Sequence, residues 1–109
     1  MIYNLTNLNK KDINKILIEK NNVVVLYHSN TCEYCIDLMP LWKRVTNKYV
    51  KDNNVIIINA EANCIKYLRV KFKKNIIGYP TIMKYSKGKM ISEYDGEKKA
   101  RELNNFLKK

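Results

Sequence analysis

Two uninterrupted apolar runs constrain this chain more than anything else in it: Val23-Val24-Val25-Leu26-Tyr27 and Val55-Ile56-Ile57-Ile58. A half-exposed strand alternates polar and apolar side chains, whereas a strand covered on both faces reads as a continuous β-branched run. Both runs are strand length, far short of the ~18 residues a membrane span needs. The chain must therefore cover two faces of a central sheet, and the flanking segments supply the covers. Ile13, Ile16 and Leu17 recur at helical spacing behind Asn9, a candidate N-cap, with Asp12 in the first turn and Asn21-Asn22 closing the helix. From Cys32 to about Val50, an apolar stripe of Leu38, Trp42, Val45 and Tyr49 predicts a second helix, kinked at Pro40. A basic third helix is expected from Asn63 to Phe72, with Ile65, Leu68 and Phe72 inward.

Gly78-Tyr79-Pro80 breaks the chain. Residues 81–85 and 90–94 then read as strands joined by Ser86-Lys87-Gly88-Lys89, an antiparallel hairpin. Asp95-Gly96 turns the chain into a last helix lined by Leu103, Phe106 and Leu107, and residues 2–6 make a short first strand. The order β-α-β-α-β-α-β-β-α predicts an α/β fold, a mixed central sheet with helices on both faces and right-handed parallel crossovers. At 109 residues it forms one domain, 1–109, without repeats, linkers or low-complexity stretches.

The formal charge of +11 invites a nucleic-acid reading that its distribution does not support. Of the 21 basic residues only Arg44, Arg69 and Arg101 are arginine, and the lysines spread along the whole chain. Abundant Lys, Asn and Ile are what AT-rich coding over-uses. A solvated basic surface is expected, with no specific nucleic-acid partner. The polar opening Met1-Ile2-Tyr3-Asn4, with no apolar stretch in the first twenty residues, predicts a cytoplasmic protein without a signal peptide. The codon bias and small size fit a large cytoplasmic DNA virus, where the protein would be viral or virion-associated, or an AT-rich parasite.

The informative site is Cys32-Glu33-Tyr34-Cys35, placed where a buried strand ends and a helix begins. Unpaired backbone N–H groups and the positive end of the helix dipole converge on the first cysteine and favour its thiolate. The thiolate is the nucleophile of disulfide exchange, so Cys32 attacks and Cys35, one turn in, displaces what becomes attached. The alternative is half a zinc site. Structural zinc takes four ligands, and the only further candidates, Cys64 and His28, stand at awkward spacing, so no metal is expected. Three cysteines are too few for a disulfide scaffold, and Cys64 reads as a structural thiol.

Five segments in order resemble the thioredoxin superfamily, both thioredoxin and the catalytic domains of protein disulfide isomerases. They are the run 23–27, Cys32-Glu33-Tyr34-Cys35, Pro40-Leu41-Trp42, Gly78-Tyr79-Pro80-Thr81 and Tyr94-Asp95-Gly96. The resemblance implies a thioredoxin fold and a thiol–disulfide oxidoreductase acting on protein substrates; a monomer is expected. No cofactor is implied beyond a redox-active Cys32–Cys35 disulfide. It further implies that Pro80 is a cis-proline facing the pair, and that the backbone at Tyr79 and Thr81 pairs with an extended substrate strand. Trp42 is core packing, and Lys98 falls near a position where disulfide isomerases carry an arginine able to approach the site.

The departures from the family pattern matter equally. Thr31 replaces the usual tryptophan, and Glu33-Tyr34 replaces glycine followed by proline or histidine. Glu33 should repel the Cys32 thiolate, Tyr34 alters the same turn, and His28 joins this redox-tuning group if its ring reaches the thiols. Thr31 and Tyr34 are similar to glutaredoxin residues, which keeps a glutathione-dependent oxidoreductase open, although no glycine pair follows Thr81. A non-enzymatic thioredoxin-fold module using its basic surface is the other alternative. Most relatives also place a buried acid six residues before the first cysteine and a lysine on the neighbouring strand; Leu26 and Ile57 occupy these positions here.

Overall fold

The computed structural model describes residues 1–108. Its sheet has the order β1-β3-β2-β4-β5, formed by β1 (Ile2–Asn4), β2 (Val23–His28), β3 (Ile56–Glu61), β4 (Thr81–Ser86) and β5 (Lys89–Glu93). The first three run parallel and the last two antiparallel, so β2 is central and every one of its residues is buried. Helices α1 (Lys10–Glu19), α2 (Glu33–Thr46) and α3 (Ala100–Lys108) cover it.

The continuous apolar runs exist because alternate residues serve opposite faces. Val23, Val25 and Tyr27 meet Ile13 and Leu17 of α1 on one face. Val24, Leu26 and Ile57 meet Leu38, Trp42, Leu103 and Leu107 of α2 and α3 on the other. Trp42 is wholly buried, and its Nε1–H donates to Asn59 Oδ1 at 2.8 Å, so the indole's one polar group stays satisfied inside the core.

The expected third helix is not α-helical. Residues Ala62–Tyr67 and Val70–Phe72 form two 3₁₀ turns, separated by Leu68 and Arg69 in extended conformation with ψ of 152° and 151°. Ile65, Leu68 and Phe72 still point inward. The break is held from outside the segment. Buried Asn14 on α1 donates from Nδ2 to the carbonyls of Lys10 and Tyr67 and accepts from the Arg69 N–H at Oδ1. A tertiary side chain thus takes the backbone groups that a helical ladder would have used. Asn14→Ala leaves them unsatisfied and lowers stability by about 1–3 kcal/mol. A fall in the urea midpoint at constant m-value checks this, and an unchanged midpoint contradicts it.

Smaller differences have local causes. Asn9 does not cap α1 with its side chain; its Oδ1 accepts from the Thr6 N–H at 2.8 Å. The second helix starts at Glu33, runs through Pro40, and passes into a 3₁₀ turn at Asn47–Tyr49. The β4–β5 connection is a two-residue turn, with Lys87 at φ 47° and Gly88 at φ 83°. Paired positive φ values match the strand twist of a tight hairpin. Both turn N–H groups bond back to α1 and its cap, at Leu17 and Lys20.

Candidate functional site

The site forms where β2 hands over to α2. Cys32 is the N-cap of α2, with extended backbone at φ −89° and ψ 119°, and its Sγ accepts from the Cys35 N–H at 3.3 Å. A side-chain oxygen normally fills this role and satisfies an otherwise unpaired first-turn donor. Sulfur replaces it here, and an anionic sulfur is the better acceptor. Cys35, one turn in, is 1% exposed, and its Sγ accepts from the Ser29 N–H at 3.5 Å.

The Tyr79–Pro80 peptide is cis and stands against the cysteine pair. The Cys32 thiol lies 3.5 Å from the Tyr79 carbonyl, to which it donates. Thr81 opens β4 beside β2, opposite Tyr27, and its hydroxyl donates to the Gly78 carbonyl at 2.7 Å. The Tyr79 carbonyl therefore borders the Cys32 sulfur, and Pro80 and Thr81 lead from it into β4. Tyr34, in the first turn of α2, is 69% exposed, with the Lys98 ammonium 5.0 Å from its ring centre.

Electrostatics divide the two thiols. A hydrogen bond from the Cys35 thiol does most to hold Cys32 below the ordinary thiol range, with the Cys35 and Tyr34 N–H groups and the Lys98 charge adding to it. Burial, chiefly, pushes Cys35 up to about 11, and its hydrogen bond to Cys32 adds to this. The accessible sulfur is therefore the more acidic of the two, and the enclosed one keeps its proton at neutral pH. Brief alkylation of the reduced protein with iodoacetamide accordingly labels Cys32 first. Its rate persists at pH values where an ordinary thiol is silent, while Cys35 labelling climbs only as pH approaches about 11. Labelling led by Cys35 or Cys64 contradicts the assignment.

The remaining expected residues take other places. Glu33 is exposed in the first turn of α2. His28 is buried opposite Glu61 in the parallel β2–β3 register; burial lowers its pKa and the Glu61 carboxylate opposes that. Glu61 accepts from the N–H groups of Asn63 at 2.8 Å and Asn30 at 3.3 Å, which ties the loop before Cys32 to the end of β3. Cys64 sits half-buried in the 3₁₀ turn Ala62–Tyr67. Leu26 and Ile57 are both fully buried in one apolar cluster, and the register partners of Leu26 are Asn59 and Ile82. Sequence reading missed the roles of Asn59 and Glu61. Both are polar residues in the last half of β3, where the apolar run stops, and that change of polarity was the available signal.

Comparison with known proteins identifies the fold and the family. The thioredoxin family model matches residues 4–109. The chain is similar to protein disulfide isomerase-like 2-2 of Oryza sativa subsp. japonica, 33% identical over 94 residues that cover 85% of this chain and 24% of that protein. It is also similar to bloodstream-specific protein 2 of Trypanosoma brucei brucei, 27% identical over 101 residues, 93% of this chain and 20% of the relative. The chain thus spans about a quarter or less of the length of these relatives. Among solved structures, thioredoxin from Trypanosoma brucei brucei superposes with a TM-score of 0.72 at 15% identity, covering 98% of this chain and 88% of that one. Human ERp44 superposes with a TM-score of 0.74 at 19% identity, covering 97% of this chain and 28% of that one.

Proposed function

Because the chain belongs to the thioredoxin family, we propose that it is a thiol–disulfide oxidoreductase domain that exchanges disulfides with protein substrates through Cys32 and Cys35. The observation that carries this reading is the N-cap geometry: an accessible sulfur accepting the Cys35 N–H, backed by a second, buried thiol. In the reducing direction the Cys32 thiolate attacks a substrate disulfide. One substrate sulfur leaves as a thiolate and takes up a proton, and a Cys32–substrate mixed disulfide remains. Cys35 then loses its proton and attacks Cys32 Sγ, the second substrate thiolate departs, and the Cys32–Cys35 disulfide forms. Two electrons pass from the dithiol to the substrate, and the reverse sequence oxidises a substrate dithiol. The backbone beside Pro80 orients the extended substrate strand, because the Tyr79 carbonyl is already within reach of the attacking sulfur.

Insulin reduction by dithiothreitol tests the reading. The protein should shorten the lag before the B chain precipitates, and Cys32→Ser should restore the uncatalysed lag. Dithiothreitol also resolves any mixed disulfide, so the assay reports the attack by Cys32. An unchanged lag with the reduced, folded protein would argue for a binding module instead.

A further inference from the structure

One concavity lined by none of the thiol-site residues carries charge without counter-charge. It has a volume of about 290 Å³ and is lined by Lys10, Lys11, Asn14, Tyr67 and Arg69, with no carboxylate in its wall. The nearest acid in the sequence, Asp12, lines a separate groove with Lys15 and Glu19. Among the described residues, none of Lys10, Lys11 and Arg69 forms an ion pair. Three unpaired cations facing one hollow repel one another, a cost that an anion between them would reverse.

The hollow is built rather than incidental. Its cations come from two segments, the first turn of α1 and the extended break between the 3₁₀ turns. Buried Asn14 pins these segments together through Lys10 O, Tyr67 O and the Arg69 N–H at 2.8, 3.0 and 2.9 Å. The interruption of the expected third helix is what brings Arg69 beside α1. The Tyr67 ring supports the rim, with the ammonium groups of Lys10 and Lys66 at 5.2 and 5.5 Å from its centre.

We propose that this concavity binds a compact multivalent anion, the phosphate or pyrophosphate group of a small molecule. Arg69 supplies the planar two-pronged donor that matches a phosphate edge, and Lys10 and Lys11 act as point charges. The volume suits a phosphate group and its first attachments, at the lower limit of small-molecule sites. A long polyanion would instead spread over lysines on every face.

Titration of the full chain with inorganic pyrophosphate, followed by amide chemical shifts, tests this. The proposal expects saturable shifts centred on residues 10–14 and 66–69. Arg69→Gln should weaken binding about tenfold or more, while the charge-matched control Lys43→Gln on α2 leaves it unchanged. Insulin reduction should be the same in all three proteins, so failure of the anion site and failure of the redox reading are separable. Shifts scattered over the lysines, equal weakening by both variants, or no saturation would overturn the proposal. So would a single-stranded oligonucleotide that outcompetes pyrophosphate and shifts residues across several faces, since that would make the hollow one part of a diffuse polyanion surface.

Discussion

Cys35→Ser, mixed with a disulfide-bonded protein, accumulates a covalent adduct at Cys32, whereas Cys32→Ser forms none and loses turnover by a factor on the order of a thousand or more, as removal of a nucleophile does in hydrolases. The asymmetry follows from position. Cys32 holds the N-cap, where backbone N–H groups stabilise its anion, and it lies beside the Tyr79 carbonyl. Cys35 is enclosed and meets only the Cys32 sulfur, which it attacks once that sulfur carries the substrate. Without Cys35 the first attack proceeds and the second cannot. Part of the Cys32 acidity comes from the Cys35 thiol, so Cys35→Ala, which removes the donor that serine would keep, should also raise the Cys32 pKa toward its ordinary value. The pH profile of adduct formation reads this shift. Adducts on Cys64, or adducts formed equally by both variants, would contradict the division of labour.

The second large effect is slow release in the unmodified protein, relieved by Leu26→Glu. Cys35 must lose a proton before it attacks, and burial holds that proton up to about pH 11. The apolar cluster beneath α2 offers Leu26 and Ile57 in place of an acceptor. A positioned general base is worth about 10²–10⁴ in rate. Mixed disulfides at Cys32 should therefore persist even with Cys35 present, and Leu26→Glu should speed their release by about a hundredfold at neutral pH. A lone carboxylate among Val24, Trp42 and Ile57 is destabilising, and Ile57→Lys supplies a partner that limits the loss. Acid-quenched single turnover with a disulfide peptide measures the step. If the unmodified protein already releases its substrate quickly and neither Leu26→Glu nor the double variant accelerates it, the inference fails.

What could be read from the sequence was what repeats locally. The runs 23–27 and 55–58 placed the two central strands because their unbroken hydrophobicity has one structural meaning. The cysteine pair was legible from its place at a strand–helix junction, whereas the cis-proline facing it was an implication of the resemblance to the thioredoxin superfamily. The third helix was misread because its pattern of Ile65, Leu68 and Phe72 is satisfied equally by 3₁₀ turns, and the deciding contact comes from Asn14 on another element. The pairings of His28 with Glu61 and of Lys98 with Tyr34 were hidden for the same reason, since register and loop return are tertiary facts. The anion-binding hollow exists only because that helix is broken.

The central claim is that Cys32 and Cys35 form one two-electron couple. Equilibration against graded ratios of reduced to oxidised glutathione, acid quenching and peptide mass mapping measure it directly. The account predicts a single transition in which the peptide carrying both cysteines loses two hydrogens while Cys64 stays reduced. A glutathione adduct on Cys32 at every ratio, or oxidation that runs through Cys64, would contradict it.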